Sequence, residues 1–163
     1  MNQLKHYTAI ANELQQSEPE KFDLLEEEIN IIFHKLKFIS IESRPMVETI
    51  DHSQPAIDPA YLEELNEIAG AQNNPLTKTP ENTDILIFIE SSPNFLGSLP
   101  QLLKDQYSDF KAVENNNIFI IQKPEFGKHK EDFLLDTEIL AEIIQSKYFV
   151  FGHEGNHWIK FDL

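Results

Sequence analysis

Some residues in this 163-residue chain have types and spacing that could do chemistry. His153-Glu154-Gly155-Asn156-His157 is a literal H-E-x-x-H. On a helix that spacing turns both imidazoles to one side, where they hold zinc while the glutamate activates a bound water. Here Gly152, Gly155 and Asn156 disfavour a helix, and only six residues follow His157. A catalytic residue or metal ligand is therefore not assigned. A metal-dependent hydrolase using His153, Glu154 and His157 stands as the alternative. Asp51-His52-Ser53 could suggest a nucleophilic triad, but that needs a strained elbow and an oxyanion hole, and the chain has no G-x-S-x-G. Three polar stretches each follow an apolar run: Asp51-His52-Ser53-Gln54, Glu90-Ser91-Ser92 and Lys123-Pro124-Glu125-Phe126. If the runs are parallel strands, these loops open at one sheet edge, where α/β proteins hold ligands. The expected binding rim is thus Asp51, His52, Ser53, Gln54, Glu90, Ser91, Ser92, Lys123, Glu125 and Phe126.

The elements that must position this rim are legible as periodicities. Leu4, Tyr7, Ile10, Ala11 and Leu14 predict a helix over 3–15. Ser17, Pro19 and Glu20 predict a capping box opening a second helix over 17–36, with Phe22, Leu25, Ile29, Ile32, Phe33 and Leu36 on one face. Its acidic run, Glu26-Glu27-Glu28, reads as solvated surface. Phe38–Glu42 reads as a short strand and Met46–Ile50 as a better one. Asp58-Pro59 should cap a helix ending at Gly70. Residues 71–83 read as a loop. Ile85–Ile89 and Ile118–Ile121 are apolar throughout, as in strands covered on both faces. Ser98-Leu99-Pro100 should open another helix, Asn115–Asn117 a turn, and 131–145 the last helix. The expected core includes Val47, Ile85, Ile87, Phe119, Ile121, Leu140 and Ile144. The aromatic tail from Phe149 should lie against the domain. Strands alternating with helices predict an α/β fold, a three-layer sandwich with a mainly parallel sheet, over a single domain 1–163. Within it lie a helical segment 1–36, a lobe 44–147 and a tail 148–163.

Composition narrows the function. The net charge is −15, which repels nucleic-acid phosphates and anionic membranes. No basic and aromatic stripe exists for nucleic acid. The five glycines form no phosphate-binding signature, and the absence of cysteine removes disulfides and thiolate chemistry. No apolar run approaches membrane-spanning length, so no membrane insertion is expected. The start lacks a secretory pattern, so the chain as written reads as cytoplasmic. An acidic protein-interaction domain is a further alternative.

The wording of 44–147 also resembles the carboxyl-terminal lobe of the cobalamin- and siderophore-type substrate-binding proteins of ABC importers. Arg44-Pro45-Met46-Val47 resembles the family's opening strand, and Glu67-Ile68-Ala69-Gly70 the end of its first helix. Thr83-Asp84-Ile85-Leu86-Ile87 is similar to its P-D-V-I-I strand. The stretch Lys111–Ile121 is similar to its A-V-K-N-G-R-V-Y-V-I signature, and Leu140-Ala141-Glu142-Ile143-Ile144 to its last helix. The second helix resembles the long helix that links the family's two lobes. The resemblance implies a periplasmic-binding-protein-like lobe without the amino-terminal lobe. It implies a non-catalytic binding module that takes a small ligand or another protein chain at the rim. Corrinoids or siderophores would be ligands; a resident cofactor is not expected. The family is normally exported, so the compartment would be periplasmic if an amino-terminal segment precedes this chain. Two positions depart from the family pattern: Asp132 stands where an arginine often starts the last helix, and Thr77 where a permease-docking glutamate is found.

Overall fold

A computed structural model describes residues 4–162. Four strands form one sheet in the order β1 (Val47–Asp51), β2 (Ile85–Ile89), β3 (Ile118–Ile121), β4 (Trp158–Phe161). The first three are parallel and β4 runs antiparallel on β3. Alternation sorts the side chains between two faces. Val47, Ile85, Ile87, Ile89, Ile121 and Trp158 face one apolar cluster. Leu86, Phe88, Ile118 and Ile120 face the other.

Helices cover both faces, giving the three-layer α/β sandwich. On one side, α3 (Pro59–Ile68) packs beside α6 (Phe133–Ile144). The hairpin of α1 (Lys5–Ser17) and α2 (Pro19–Leu36) packs over them and shares their core. On the other side lie α4 (Phe95–Gln106) and the single turn α5 (Lys111–Glu114). A bridge between Met46 and Gln72 explains the topology. It puts the chain after α3 on the outer side of β1. The 3-10 turn Pro80–Asn82, packed on α5, then carries it back across to β2. The sheet therefore begins as a strand reduced to one bridge, and β1 is half-buried along most of its length.

Local chemistry fixes the helix ends. Asp58 accepts the Ala60 N–H, with Pro59 at the first helical position. Gly70 ends α3 at φ 105°, where a Cβ would come within 2.7 Å of Gln145. The exposed first turn of α1 is served from α3, because Glu64 accepts the N–H groups of His6 (3.0 Å) and Tyr7 (2.6 Å).

Several expectations are corrected. Ser17 does not cap α2. It is the last residue of α1, and its hydroxyl donates back to the Glu13 carbonyl; Glu18 precedes Pro19 without a side-chain cap. Phe38–Glu42 is not a strand but a turn leading into the 3-10 turn Ile41–Ser43. There Arg44 Nη2 donates to the last α2 carbonyl, at Leu36, and folds the chain back before any strand can pair. The helix expected from Ser98 starts at Phe95 and keeps Pro100 inside it, because Phe95 is drawn onto Phe88. Phe119 is only half-buried, packed on one side by the Trp158 ring. The other expected core residues are buried. The strand β4 was not anticipated.

Candidate functional site

Because β1, β2 and β3 are parallel, their carboxyl ends open together. The register aligns Asp51 with Ile89 and Ile89 with Ile121. The three loops beyond them enclose a cavity of about 250 Å³. Of the expected rim, His52, Ser53, Gln54, Glu90, Ser91, Lys123, Glu125 and Phe126 line it. Asp51 and Ser92 do not.

Asp51 builds the first loop instead. Its carboxylate accepts the N–H groups of Ser53 (2.9 Å) and Ile57 (2.7 Å) and the Ser53 hydroxyl. Partial burial alone would raise its pKa, but these bonds and the charge of Lys128 outweigh it and hold the carboxyl below its ordinary value. Within the loop the Gln54–Pro55 bond is cis. The Ser53 hydroxyl thus serves Asp51, which is the wrong partner for a nucleophile. His52 lies 3.3 Å from Glu90 through Nδ1, with its ring edge-on to Phe95. Glu90 thus links the second loop to the first, and it also accepts the Ser92 N–H within its own loop.

The third loop is locked from below. Lys123 is buried, and its ammonium lies 3.1 Å from both Asp132 and Asp136. Asp136 has no exposed surface; burial pushes its pKa up to about 6, and the Gly127 N–H and Lys123 offset this only in part. Gly127 takes φ 75°, and a Cβ there would come within 2.8 Å of Ile57. Phe126 belongs to the core and forms an apolar floor. Sequence reasoning missed Lys128, which also lines the cavity. The only signal for it was membership of the same charged loop.

The arrangement offers hydrogen bonds, cations and an apolar floor. Within it the Ser53 hydroxyl is bound to Asp51 and the His52 imidazole lies against Glu90.

The His153–His157 segment is a turn, not a helix. The His157 N–H donates to the His153 carbonyl at 2.9 Å, and Gly152 and Gly155 take φ 88°. His153 Nε2 lies 3.1 Å from Glu138, whose pKa burial raises and His153 partly restores. Burial, then His153 and Lys123, hold His157 below its ordinary value. Among the described residues, no group of three or more histidines and carboxylates is placed to hold a metal ion. Glu142 organises this tail. It accepts the N–H groups of Phe151 (2.7 Å), Gly152 (3.0 Å) and His153 (3.1 Å), and the indole N–H of Trp158 (3.1 Å). Burial would raise its pKa, but these donors reverse the shift and lower it.

A larger cavity of about 350 Å³ lies away from the strand ends, between the start of α1, the end of α2 and the end of α3. Its wall is mostly apolar, with Leu4, Phe33, Leu36 and Ile68. Lys37, Arg44 and Glu67 complete its lining, and it begins at the first described residue.

No family model and no curated protein matches the sequence. Among solved structures, an ABC transporter solute binding protein from Sulfurospirillum deleyianum is similar, with a TM-score of 0.50 at 13% identity. The match covers 90% of this chain and 52% of that protein. The chain thus spans about half the length of the structure it matches, and what the two share is an α/β fold.

Proposed function

We propose that this chain is a non-catalytic binding module: one lobe of the solute-binding type, holding a small ligand at the loops that follow its parallel strands. The observation that carries the reading is the convergence of His52–Gln54, Glu90–Ser91 and Lys123–Phe126 on one cavity. Parallel strands bring such loops together at the edge where α/β folds bind. The likeness to an ABC transporter solute binding protein supports the same use of the fold. Within that class the sequence resemblance favours a corrinoid or siderophore. The cavity of about 250 Å³ would grip one side of so large a molecule, leaving the rest to a second lobe or chain. The class works outside the cytoplasm, and export is the corresponding expectation. Among the described residues no helix is long and apolar enough to cross a membrane.

A thermal-shift screen of corrinoids, haem and siderophores tests the reading, since a ligand that binds only the native state raises the melting temperature. A ligand present at about 100 times its Kd stabilises by about 2.7 kcal/mol, a shift of several degrees. The shift should shrink in Ser91→Trp, which fills the cavity mouth. No shift with any member of the screen, or a shift indifferent to Ser91→Trp, would count against the rim.

A further inference from the structure

Lys128 stands apart from every other charged group at the rim. The Lys123 ammonium is held by Asp132 and Asp136, His52 by Glu90, and Glu125 by His129 at 3.7 Å. Lys128 lines the same cavity, yet its Nζ is shut from water and makes no hydrogen bond among the described residues. Its electrostatic neighbour is Asp51, whose oxygens are already taken by Ser53 and Ile57. A buried ammonium without a hydrogen-bond partner is costly, and such an orphan marks a missing ion, water or ligand.

The position is also fixed rather than accidental. Glu125 at φ 61° and Gly127 at φ 75° turn the chain sharply. Gly127 donates to buried Asp136 at 2.9 Å and sits against Ile57. The Lys128 N–H donates to the Glu125 carbonyl at 3.1 Å. The backbone of Lys128 is thereby held at the cavity wall, and its four-carbon stem carries the ammonium from there.

We propose that Lys128 is the recognition point for an oxyanion, the carboxylate or phosphate group of a small anionic ligand entering the rim cavity. This deepens the rim reading and rests on it. The ammonium then exchanges an unsatisfied buried position for a charge-assisted hydrogen bond. Lys123 lines the same wall with its ammonium held by Asp132 and Asp136, and His52 adds a ring 3.3 Å from Glu90. The surrounding negative surface does not forbid this, because its field is screened beyond about 8 Å at physiological salt while Lys128 acts at contact.

The experiment titrates full-length protein with citrate, with inorganic phosphate and with chloride at matched ionic strength, following backbone amide shifts by NMR. Citrate or phosphate should move the amides of residues 51–54, 90–92 and 123–128, and chloride should not. Whichever of the two binds more tightly identifies the head group. Lys128→Met should weaken that binding at least tenfold, and Lys128→Arg should keep it within a few-fold. Without ligand, Lys128→Met should move the melting temperature by no more than a few degrees, because losing the attraction to Asp51 is offset by removing a buried ammonium that makes no hydrogen bond. A fall of about 10 °C or more would show that the ammonium is chiefly structural, and would overturn the proposal. So would equal anion binding by wild type and Lys128→Met, or no shifts at the rim. A corrinoid or siderophore that binds wild type and Lys128→Met alike, while citrate and phosphate leave the rim amides unmoved, would sink the oxyanion site and leave the rim reading standing.

Discussion

Two buried carboxylates on α6 titrate in opposite senses, and their partners explain why. Glu142 meets four donors, which lower its pKa although burial opposes them. A lowered folded pKa contributes stability that is present above the unfolded value and lost as pH falls through the folded one. The chain has one tryptophan, Trp158, and its indole donates to Glu142. Trp158 fluorescence should therefore shift to the red on acidification below the ordinary carboxylate range, before global unfolding. Glu142→Gln replaces an acceptor-only group by one that places NH2 against N–H donors. It should cost about 2–4 kcal/mol and abolish the acid step. An acid step in Trp158 emission that persists in Glu142→Gln would refute the assignment. Asp136 has the reverse sign: burial raises it to about 6, so its contribution is greatest below the unfolded value of 3.8 and is lost as pH rises through about 6. Urea stability of wild type relative to Asp136→Asn should fall across that window, by at most roughly 3 kcal/mol at 1.36 kcal/mol per pH unit. A difference that grows with pH would mean that Lys123 dominates burial.

At the scale of elements, periodicity carried most of the information. The runs at Ile85–Ile89 and Ile118–Ile121 are buried because helices lie on both faces, and continuous apolar runs report that arrangement directly. Asp58, Pro59 and Gly70 each carry a local conformational reason, and each stands where that reason placed it. What failed was set by distant partners. Phe38–Glu42 has strand-like composition, but Arg44 reaching back to Leu36 denies it a neighbour. Trp158–Phe161 forms a strand because β3 offers an open edge, and no local pattern announces an edge. The signal was faint: alternating Trp-Ile-Lys-Phe after a Gly-Asn turn. The same division applies to the rim. Parallel strands made the three loops legible, but the diversion of Asp51 to Ser53 and Ile57 and the isolation of Lys128 depend on how the loops close. Ile87 tests the layered core most directly. It is fully buried on the central strand, so Ile87→Ala should cost about 2–5 kcal/mol by chemical denaturation. A loss under roughly 1 kcal/mol would mean that the helices do not seal that face.

For the whole molecule, 28 acidic residues against 13 basic ones set the long-range field. The surface ion pairs, Lys21 with Glu18, Lys78 with Glu48 and Lys111 with Asp84, each contribute little, because exposed pairs exchange one set of water contacts for another. Fifteen uncompensated negative charges repel one another over the compact state and much less over an expanded chain. Added salt should therefore stabilise the fold. Raising sodium chloride from about 20 mM to about 0.5 M contracts the screening length from about 20 Å to about 4 Å. The melting temperature should rise by a few degrees, as one kcal/mol moves a domain of this size by roughly 2–4 °C. Sodium sulfate at equal ionic strength also strengthens apolar burial, so chloride is the cleaner probe. A melting temperature that falls with chloride would show that attractive pairs outweigh the net repulsion, and the acidic surface would then be part of the fold's support. The expected rise assigns the charge to solubility and partner exclusion instead. An anionic ligand of the kind proposed for Lys128 would then have to be recognised at contact, at the strand ends, against the sign of the molecule as a whole.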